Sequence, residues 1–119
     1  MSHPRVQVRR VYDQRAGDEG TRVLVDRLWP RGLSKARAQL DEWCKQAAPS
    51  TELRTWYAHD PARFTEFGRR YRAELTGGAQ AAALAHLRQL ATVGTLTLVT
   101  ATKEVSISEA AILAELIRA

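Results

Sequence analysis

The chain has 119 residues, a length that suits one globular domain around a single core. Hydrophobic residues make up 45% of it and charged residues 26%, and no apolar run approaches the roughly 20 residues of a membrane-spanning helix. The lone Cys44 excludes an intramolecular disulfide, and the first residues lack the apolar core of a secretory signal. We therefore expect one soluble domain, residues 1–119, in the cytoplasm, with no membrane association.

The chain is basic, with a net charge of +5 and an isoelectric point near 10.0. Arginine greatly outnumbers lysine among the 18 basic residues, and its forked guanidinium suits recognition of phosphate or carboxylate groups. Nucleic acid is another partner that such a charge can serve. The charge alone therefore indicates anionic partners without choosing between them.

Apolar patterns predict three strands, over residues 5–12, 22–28 and 96–100. The second begins with a continuous apolar run, which is typical of a strand covered on both faces and therefore of a central position in a sheet. Between the first two strands, residues 13–21 are polar and contain two glycines. They predict an exposed loop.

Helix signals follow in the second half of the chain. Ser50 suits an N-cap, and Asp60 before Pro61 combines a capping acceptor with proline at the first helical position. Residues 79–91 have the composition and period of a helix, and the stretch Ser106–Glu109 resembles a capping box before a last helix. Helices are therefore expected to fill most of the chain after residue 50.

Strands that alternate with helices at both ends of the chain imply βα units and a largely parallel sheet. Residues 34–38 suit a short helix, whereas residues 40–45 suit either a helix or extended chain. The sequence thus predicts a single α/β domain, three-layer-like, with three to four mostly parallel strands flanked by helices.

A series of motifs recurs in order along nearly the whole chain. They are VLVDRLWPRGLSK over 23–35, DEW over 41–43, APS over 48–50, LRTWY over 53–57, HDP over 59–61, EF over 66–67, RY over 70–71 and EL over 74–75. This series resembles the YeaO-like family of bacteria and archaea, classed as number four hundred eighty-eight among the domains of unknown function. The resemblance implies a compact cytoplasmic α/β domain and brings no agreed activity.

The chain departs from the family pattern before its last helix, where the family commonly has Lys-Asp followed by His-Asn or His-Ser. Here Lys103 is followed by Glu104, and Ile107 stands where the histidine is expected. If that histidine takes part in chemistry, Ile107 cannot replace it. The alternative is that the family histidine caps the helix.

Ligands of open α/β sheets bind beyond the carboxyl ends of the strands, so the residues after each predicted strand form one candidate site. Its cations could hold a phosphate or carboxylate through charge-assisted hydrogen bonds. The predicted ligand-binding residues are Arg27, Arg31, Lys35 and Lys103. The competing interpretation is that Arg27 or Arg31 instead pairs with a neighbouring carboxylate and locks the Trp-Pro-Arg-Gly turn.

Two residues are weak catalytic candidates. Asp26 ends a buried strand, where a carboxylate must either pair with an arginine or act as a base with a shifted pKa; Asp41 is the other carboxylate open to such pairing. His59 could act as an acid or base, or could brace the helix start at Pro61. Whether the protein is an enzyme stays open.

Metal and cofactor sites are not predicted. The three histidines, His3, His59 and His86, are scattered, and Cys44 has the pattern of a small buried hydrophobe. No glycine-rich phosphate loop, dinucleotide fingerprint or nucleophile elbow is present.

The leading hypothesis is therefore a domain that binds a small anionic ligand, bearing phosphate or carboxylate, at the carboxyl ends of the strands. One alternative is a nucleic-acid-binding module that uses the arginines of one helix, Arg63, Arg69, Arg70 and Arg72. Another is a protein-interaction or structural homodimer formed through a sheet edge or the helix at 112–117. The sequence does not choose between a monomer and a homodimer.

Overall fold

A computed structural model describes residues 4–119, so His3 lies outside the described part of the chain. The four strands are β1 (Val6–Arg10), β2 (Thr21–Leu24), β3 (Glu42–Trp43) and β4 (Leu96–Thr100). The helices are α1 (Lys35–Ala38), α2 (Thr51–Tyr57), α3 (Phe64–Glu74), α4 (Gly78–Val93) and α5 (Glu109–Arg118). The strands form one sheet in the order β1-β4-β2-β3, and every pairing is parallel. The predicted α/β domain with a parallel, helix-flanked sheet is confirmed.

Both predicted N-terminal strands are shorter than the sequence pattern suggested. β2 ends at Leu24 rather than at residue 28, although the Val25 N–H still donates to Val99 O at 3.2 Å. The next residue, Asp26, turns its carboxylate toward the end of β4 and leaves the ladder. The ambiguous segment 40–45 is extended at β3, which adds the fourth strand beside β2 and makes β2 an interior strand.

The two faces of the sheet are covered unequally. Leu96 and Leu98 of β4 belong to a large core cluster that also contains buried side chains of α2, α3, α4 and α5. Val99 belongs to a smaller cluster with Leu24, and loop residues and α1 cover it. The alternation of side chains along β4 thus separates a helical layer from a thinner layer made mostly of loop. In the described part of the chain, every helix is too short or too polar to span a bilayer.

A buried ion pair organises that thinner layer. Glu19 and Arg22 are both fully buried, and the Arg22 guanidinium donates to Glu19 Oε1 at 2.8 Å. Its remaining donors reach the carbonyl oxygens of Ala38 at 3.0 Å, Val11 at 3.0 Å and Asp13 at 2.9 Å. The prediction that residues 13–21 are simply an exposed loop is therefore wrong at Glu19, because this connection passes over a sheet face that has no long helix.

Further hydrogen bonds hold the carboxylate and the backbone of Glu19. Arg9 donates to Oε2 at 2.7 Å and the Ala16 N–H at 2.8 Å, while Thr97 donates its hydroxyl to the Glu19 carbonyl oxygen at 2.7 Å. Burial by itself would raise the pKa of Glu19, but the hydrogen bonds from Ala16 and Arg22 and the two arginine charges lower the pKa below its usual value. Glu19 is therefore held as a buried carboxylate.

Gly20 follows this carboxylate at a point where two chain segments nearly touch. Its φ is +65°, and a Cβ there would lie 2.2 Å from the carbonyl oxygen of Thr95. The same oxygen accepts the Thr21 N–H at 2.9 Å, which begins the pairing of β2 with β4. Only glycine satisfies both the backbone conformation and the close approach.

The predicted helix starts at Ser50 and Asp60 are confirmed. Ser50 Oγ accepts the Leu53 N–H at 3.2 Å, and Asp60 Oδ1 accepts the Ala62 N–H at 3.0 Å. Short helical turns also precede three of the elements, at residues 45–47, 61–63 and 105–107.

The last helix begins differently from the prediction. Ser108, and not Ser106, is its N-cap, with Ser108 Oγ accepting the Ala111 N–H at 3.3 Å. Glu109 is consequently the first helical residue rather than the third, so it does not complete a capping box with Ser106. Its carboxyl is instead directed toward the end of β4.

Candidate functional site

A cavity of about 560 Å³ lies beyond the carboxyl ends of β2 and β4. Its lining comes from residues 26–31 after β2, residues 101–104 after β4, and the segments 48–49 and 107–109, with further residues between 54 and 67. Segments far apart in sequence thus meet at the edge of the sheet where ligands of parallel α/β folds bind. Asp26, Arg27, Arg31 and Lys103, which the sequence placed together at the strand ends, all line this cavity, and His59, which the sequence singled out separately, lines it too.

We call four of the exposed lining residues, Arg31, Arg54, His59 and Lys103, the mouth of the cavity; the acidic side chain of Glu104, next to Lys103 in the chain, is also exposed and also lines the cavity. Arg31 and Lys103 form no ion pair within residues 4–119, while the Arg31 carbonyl oxygen is anchored by the hydroxyl of Tyr12 at 2.8 Å. The fourth predicted cation, Lys35, lies on α1 and is not among the lining residues.

Arg27 is held by the backbone. Its Nε donates to Pro49 O and its Nη2 to Ala48 O, both at 3.2 Å. The half-buried guanidinium therefore connects the loop after β2 to the segment before α2. The competing interpretation, that Arg27 or Arg31 pairs with Asp26 or Asp41, is wrong, because within residues 4–119 neither arginine forms an ion pair. Asp41 instead accepts a hydrogen bond from Arg15 Nη2 at 2.8 Å, because the connection between β1 and β2 places Arg15 beside it.

Two carboxyl groups, those of Asp26 and Glu109, form what we call the floor. Asp26 accepts the Thr100 hydroxyl at 2.7 Å and the Ala101 N–H at 2.7 Å, which ties the end of β2 to the end of β4. Thr100 Oγ1 also lies 3.3 Å from Glu109 Oε1. The single hydrogen of the Thr100 hydroxyl therefore has three oxygen neighbours, Asp26 Oδ1, Glu109 Oε1 and Thr102 Oγ1, the last at 3.1 Å.

The surroundings of Glu109 shift the pKa of its carboxyl group. Burial raises the pKa of Glu109 well above its usual value, and the neighbouring Asp26 raises it further through a hydrogen bond and its charge. The Glu109 N–H and the Thr100 hydroxyl oppose this shift without cancelling it. The floor therefore resembles two carboxyls that share a proton, an arrangement that costs stability and is typical of functional sites.

Sequence reasoning missed Glu109 because the sequence around it resembles a capping box. One signal could have found it: a carboxylate placed at the start of a helix that follows a buried strand also lies at the carboxyl edge of the sheet. Asp26, which the sequence did single out, has two neutral partners in Thr100 and Ala101 rather than the expected arginine.

Apolar side chains form the wall of the cavity, which we define as Trp29, Pro49, Tyr57 and Phe67. Tyr57 stacks on Phe67 with ring centroids 4.1 Å apart, and its hydroxyl donates to Ile107 O at 2.7 Å. Burial raises the pKa of Tyr57, with Glu109 and Asp60 adding to the effect, so the hydroxyl stays a donor at neutral pH. Ile107, at the position where the resemblance to the family predicts histidine, therefore lines the cavity, and its carbonyl oxygen accepts the Tyr57 hydroxyl.

Trp29 is held at the other side of the wall. Its ring packs edge-on against Trp43, with centroids 5.4 Å apart and planes at 70°, and its Nε1 donates to Leu33 O at 2.6 Å. Trp43 Nε1 donates to Asp26 O at 2.7 Å. Both indoles therefore help to fix the loop that carries Asp26.

His59 reaches the mouth on strained backbone. Ala58 and His59 both have left-handed φ values, +47° and +57°, at the end of α2. Such conformations cost an L-residue about 1 kcal/mol or more and accumulate near binding sites. The chain leaves the left-handed region at the Asp60 cap, whose backbone is extended and whose N–H donates to Tyr57 O at 2.9 Å.

Replacing Ala58 with glycine should raise the free energy of unfolding by about 0.5–1 kcal/mol, because glycine adopts this conformation without strain. Thermal denaturation measures the effect. Ala85→Gly, at an exposed position inside α4 with ordinary helical backbone, is the matched control and should instead lower the free energy of unfolding by about 1 kcal/mol. A loss of stability in Ala58→Gly would show that the left-handed turn is not strained.

The arginines of the α3 segment are engaged in ion pairs. Their partners are Asp60 for Arg63, Glu66 for both Arg69 and Arg70, and Glu115 for Arg72. The hydrogen bonds from Arg69 and Arg70 lower the pKa of Glu66 to about 2. This face is therefore a mixed ion-pair network rather than a set of free cations, which weakens the argument for a nucleic-acid surface.

Cys44 is buried, as predicted, and burial together with the charge of Glu42 raises the pKa of its thiol. His86 lies on the surface with its Nε2 at 2.8 Å from Glu42. Within residues 4–119 no three histidine, cysteine or acidic side chains gather in a way that could hold a metal ion.

Comparisons with known proteins identify the family of this chain. A family model described as "Inactive DUF488-N3 subclade" matches residues 5–119. The chain belongs to the DUF488 family. The earlier resemblance to YeaO-like proteins is thereby confirmed, and within the family the matched subclade is the one described as inactive.

Relatives of this DUF488 domain are similar over almost their whole length. The uncharacterized protein Rv3073c of Mycobacterium tuberculosis is 51% identical over 113 residues, which cover 95% of this chain and 93% of that protein. The uncharacterized protein Mb3100c of Mycobacterium bovis has the same identity and coverage. The uncharacterized protein YeaO of Escherichia coli is 39% identical over 113 residues, covering 95% of this chain and 96% of that protein. No solved structure matches the chain.

Proposed function

We propose that this DUF488 domain binds a small molecule that bears a phosphate or carboxylate group. The observation that carries the proposal is the pair Arg31 and Lys103, exposed at the mouth of one cavity and without an acidic partner within residues 4–119. Cations left free beside a concave surface are suited to charge-assisted hydrogen bonds with an anion. Arg54 and His59 line the same mouth and can add to its positive potential.

Size and position support the same function. The cavity volume of about 560 Å³ falls within the usual range of small-molecule sites, and the site lies at the carboxyl ends of parallel strands. The apolar wall can bury the body of a ligand while the mouth holds its charge. Arg27 contributes to this wall mainly by holding the carbonyls of Ala48 and Pro49 in place.

We propose that the domain binds its ligand without converting it, and the matched family description supports this. The matched subclade is described as inactive, and the position that commonly carries histidine is Ile107, whose backbone lies on this cavity. We therefore assign Asp26 and His59 to ligand contact rather than to catalysis.

Titration with inorganic phosphate, followed by amide chemical shifts, tests the proposal. We expect saturable shifts in residues 26–31 and 101–104. Arg31→Ala and Lys103→Ala should each weaken binding about tenfold, which corresponds to the loss of one charge-assisted hydrogen bond.

Lys35→Ala is the matched control, because it also removes one exposed positive charge but lies outside the cavity lining. Its phosphate affinity should stay within about twofold of the unmodified protein, and all three variants should keep their melting temperatures. Equal weakening by all three variants would indicate a general charge effect, and the absence of any saturable shift would reject the site.

A further inference from the structure

Resting on the proposed function, we propose that the ligand has two ends: an anionic group held at the mouth, and a neutral body whose hydroxyl groups donate hydrogen bonds to Asp26 and Glu109 at the floor. Sugar phosphates are the simplest chemical class with this pattern.

The size of the cavity indicates that the anionic group is only part of the ligand. A phosphate ion occupies a small fraction of about 560 Å³, so a ligand that fills the site must carry a larger body. The wall next to that body is apolar and aromatic, with Trp29 on one side and the stacked pair Tyr57 and Phe67 on the other. Such surfaces pack well against the C–H faces of a sugar ring.

The floor is rich in acceptors. A carboxylate has about four lone-pair sites, and at Asp26 the two observed donors, Thr100 Oγ1 and Ala101 N–H, leave acceptor capacity toward the cavity. Glu109 adds a second pair of oxygens at the same depth, and Thr102 lies beside them on the lining. A group placed here must therefore supply hydrogens.

The charge of the floor sets the orientation of the ligand. The floor presents the carboxyl oxygens of Asp26 and Glu109, which offer no positive charge to a phosphate or carboxylate. The free cations Arg31 and Lys103 lie at the mouth instead. The anionic end therefore remains at the mouth, and the uncharged hydroxylated end enters toward the floor.

Four probes separate the contributions of the two ends: inorganic phosphate, methyl phosphate, glucose 6-phosphate and glucosamine 6-phosphate. Dissociation constants are measured by calorimetry on the full chain. We expect glucose 6-phosphate to bind at least tenfold more tightly than methyl phosphate, because only glucose 6-phosphate offers hydroxyl donors to the floor.

Two substitutions at one position test the role of the floor. Glu109→Met removes the acceptor oxygens and should reduce glucose 6-phosphate binding at least tenfold, to the level of methyl phosphate. Glu109→Gln keeps an acceptor oxygen and should stay within about threefold of the unmodified protein. Neither change should affect the dissociation constant of inorganic phosphate, which contacts the mouth. If Glu109→Met does not fold, the comparison of glucose 6-phosphate with methyl phosphate on the unmodified protein tests the proposal instead.

The outcomes distinguish the two proposals. If inorganic phosphate binds and depends on Arg31, but glucose 6-phosphate binds no more tightly than methyl phosphate, the two-ended ligand is rejected and the anion site remains. If glucosamine 6-phosphate binds at least tenfold more tightly than glucose 6-phosphate, the floor takes a cation and the neutral-donor assignment is overturned. If none of the four probes binds, the anion site itself is rejected.

Discussion

Replacing Glu19 with glutamine should lower the free energy of unfolding by about 3–5 kcal/mol, the usual cost of removing one partner from a buried ion pair. The substitution keeps the volume of the side chain but leaves the fully buried guanidinium of Arg22 without its counter-charge. Arg22 in turn holds the carbonyl oxygens of Val11, Asp13 and Ala38, so the loss spreads over the whole thin layer of the fold. Urea denaturation, with the midpoint shifted and the slope unchanged, measures the cost.

The adjacent residue provides a matched control. Asp18 forms an ion pair with Arg5 at 3.8 Å, but the two side chains are 64% and 66% exposed. Because exposed pairs contribute little, Asp18→Asn should change the free energy of unfolding by less than about 0.5 kcal/mol. Similar costs for the two variants would mean that the burial of the Glu19–Arg22 pair has no structural importance.

The same pair predicts a direction for the pH dependence. The pKa of Glu19 is lowered in the folded protein relative to its ordinary value of 4.5, so the folded state binds this proton less readily than the unfolded state. The stability that Glu19 contributes is therefore present above pH 4.5 and is lost as the pH falls through the lowered pKa. The unmodified protein should lose stability more steeply in acid than Glu19→Gln does.

Replacing Glu109 with glutamine should have the opposite effect and raise the free energy of unfolding at pH 7 by about 1–2 kcal/mol. Glutamine resembles the protonated carboxyl in shape and carries no charge that burial and the nearby Asp26 would penalise. In a domain of this size, such a gain corresponds to about 4–8 °C in Tm. Differential scanning calorimetry at several pH values measures it.

The sign follows from the raised pKa of Glu109. Burial and the nearby Asp26 raise the pKa above 4.5, so between pH 4.5 and the raised pKa the folded protein keeps a proton that the unfolded chain releases. The favourable contribution of the protonated group is complete below pH 4.5 and is lost as the pH rises through the raised pKa. The advantage of Glu109→Gln should accordingly shrink as the pH is lowered toward 4.5.

Glu104 offers the control for this second prediction. It is an exposed carboxylate that lines the same cavity five residues earlier in the chain, and its side chain makes no capping hydrogen bond. Glu104→Gln should leave Tm nearly unchanged. If Glu109→Gln destabilised the protein at pH 7, or if its effect did not vary with pH, the shared-proton interpretation of the floor would be wrong.

Elements with strong local signals could be predicted from the sequence. Strand β4 occupies residues 96–100 as predicted, and Ser50 and Asp60 cap their helices as predicted. An uncharged apolar strand and a capping side chain at a helix start both depend on few long-range contacts. The end of β2 was placed four residues too late, because the side chain of Asp26 leaves the ladder to bind the end of β4, which follows 74 residues later.

The candidate site was predictable in part for a similar reason. Parallel strands bring their carboxyl ends to one edge, so the convergence of Arg27, Arg31 and Lys103 followed from topology alone. Lys35 was misplaced relative to that cavity, because α1 carries it over the other layer of the sheet. The role of Arg27 as a donor to two carbonyl oxygens also depends on a segment 21 residues away, which no local pattern reveals.

The amino-acid sequence itself determined the order and type of the main strands and helices, because these depend on periodicity and capping. It also determined the edge of the sheet where charged residues gather, because parallel βα units bring the strand ends together there. The tertiary structure decided which charges are paired and which are free. Glu19 and Arg22 bury each other, the α3 arginines have acidic partners, and Glu109 meets Asp26 through Thr100. These choices depend on which side chains meet in space and how much water remains around them, and both are set only when distant segments pack together.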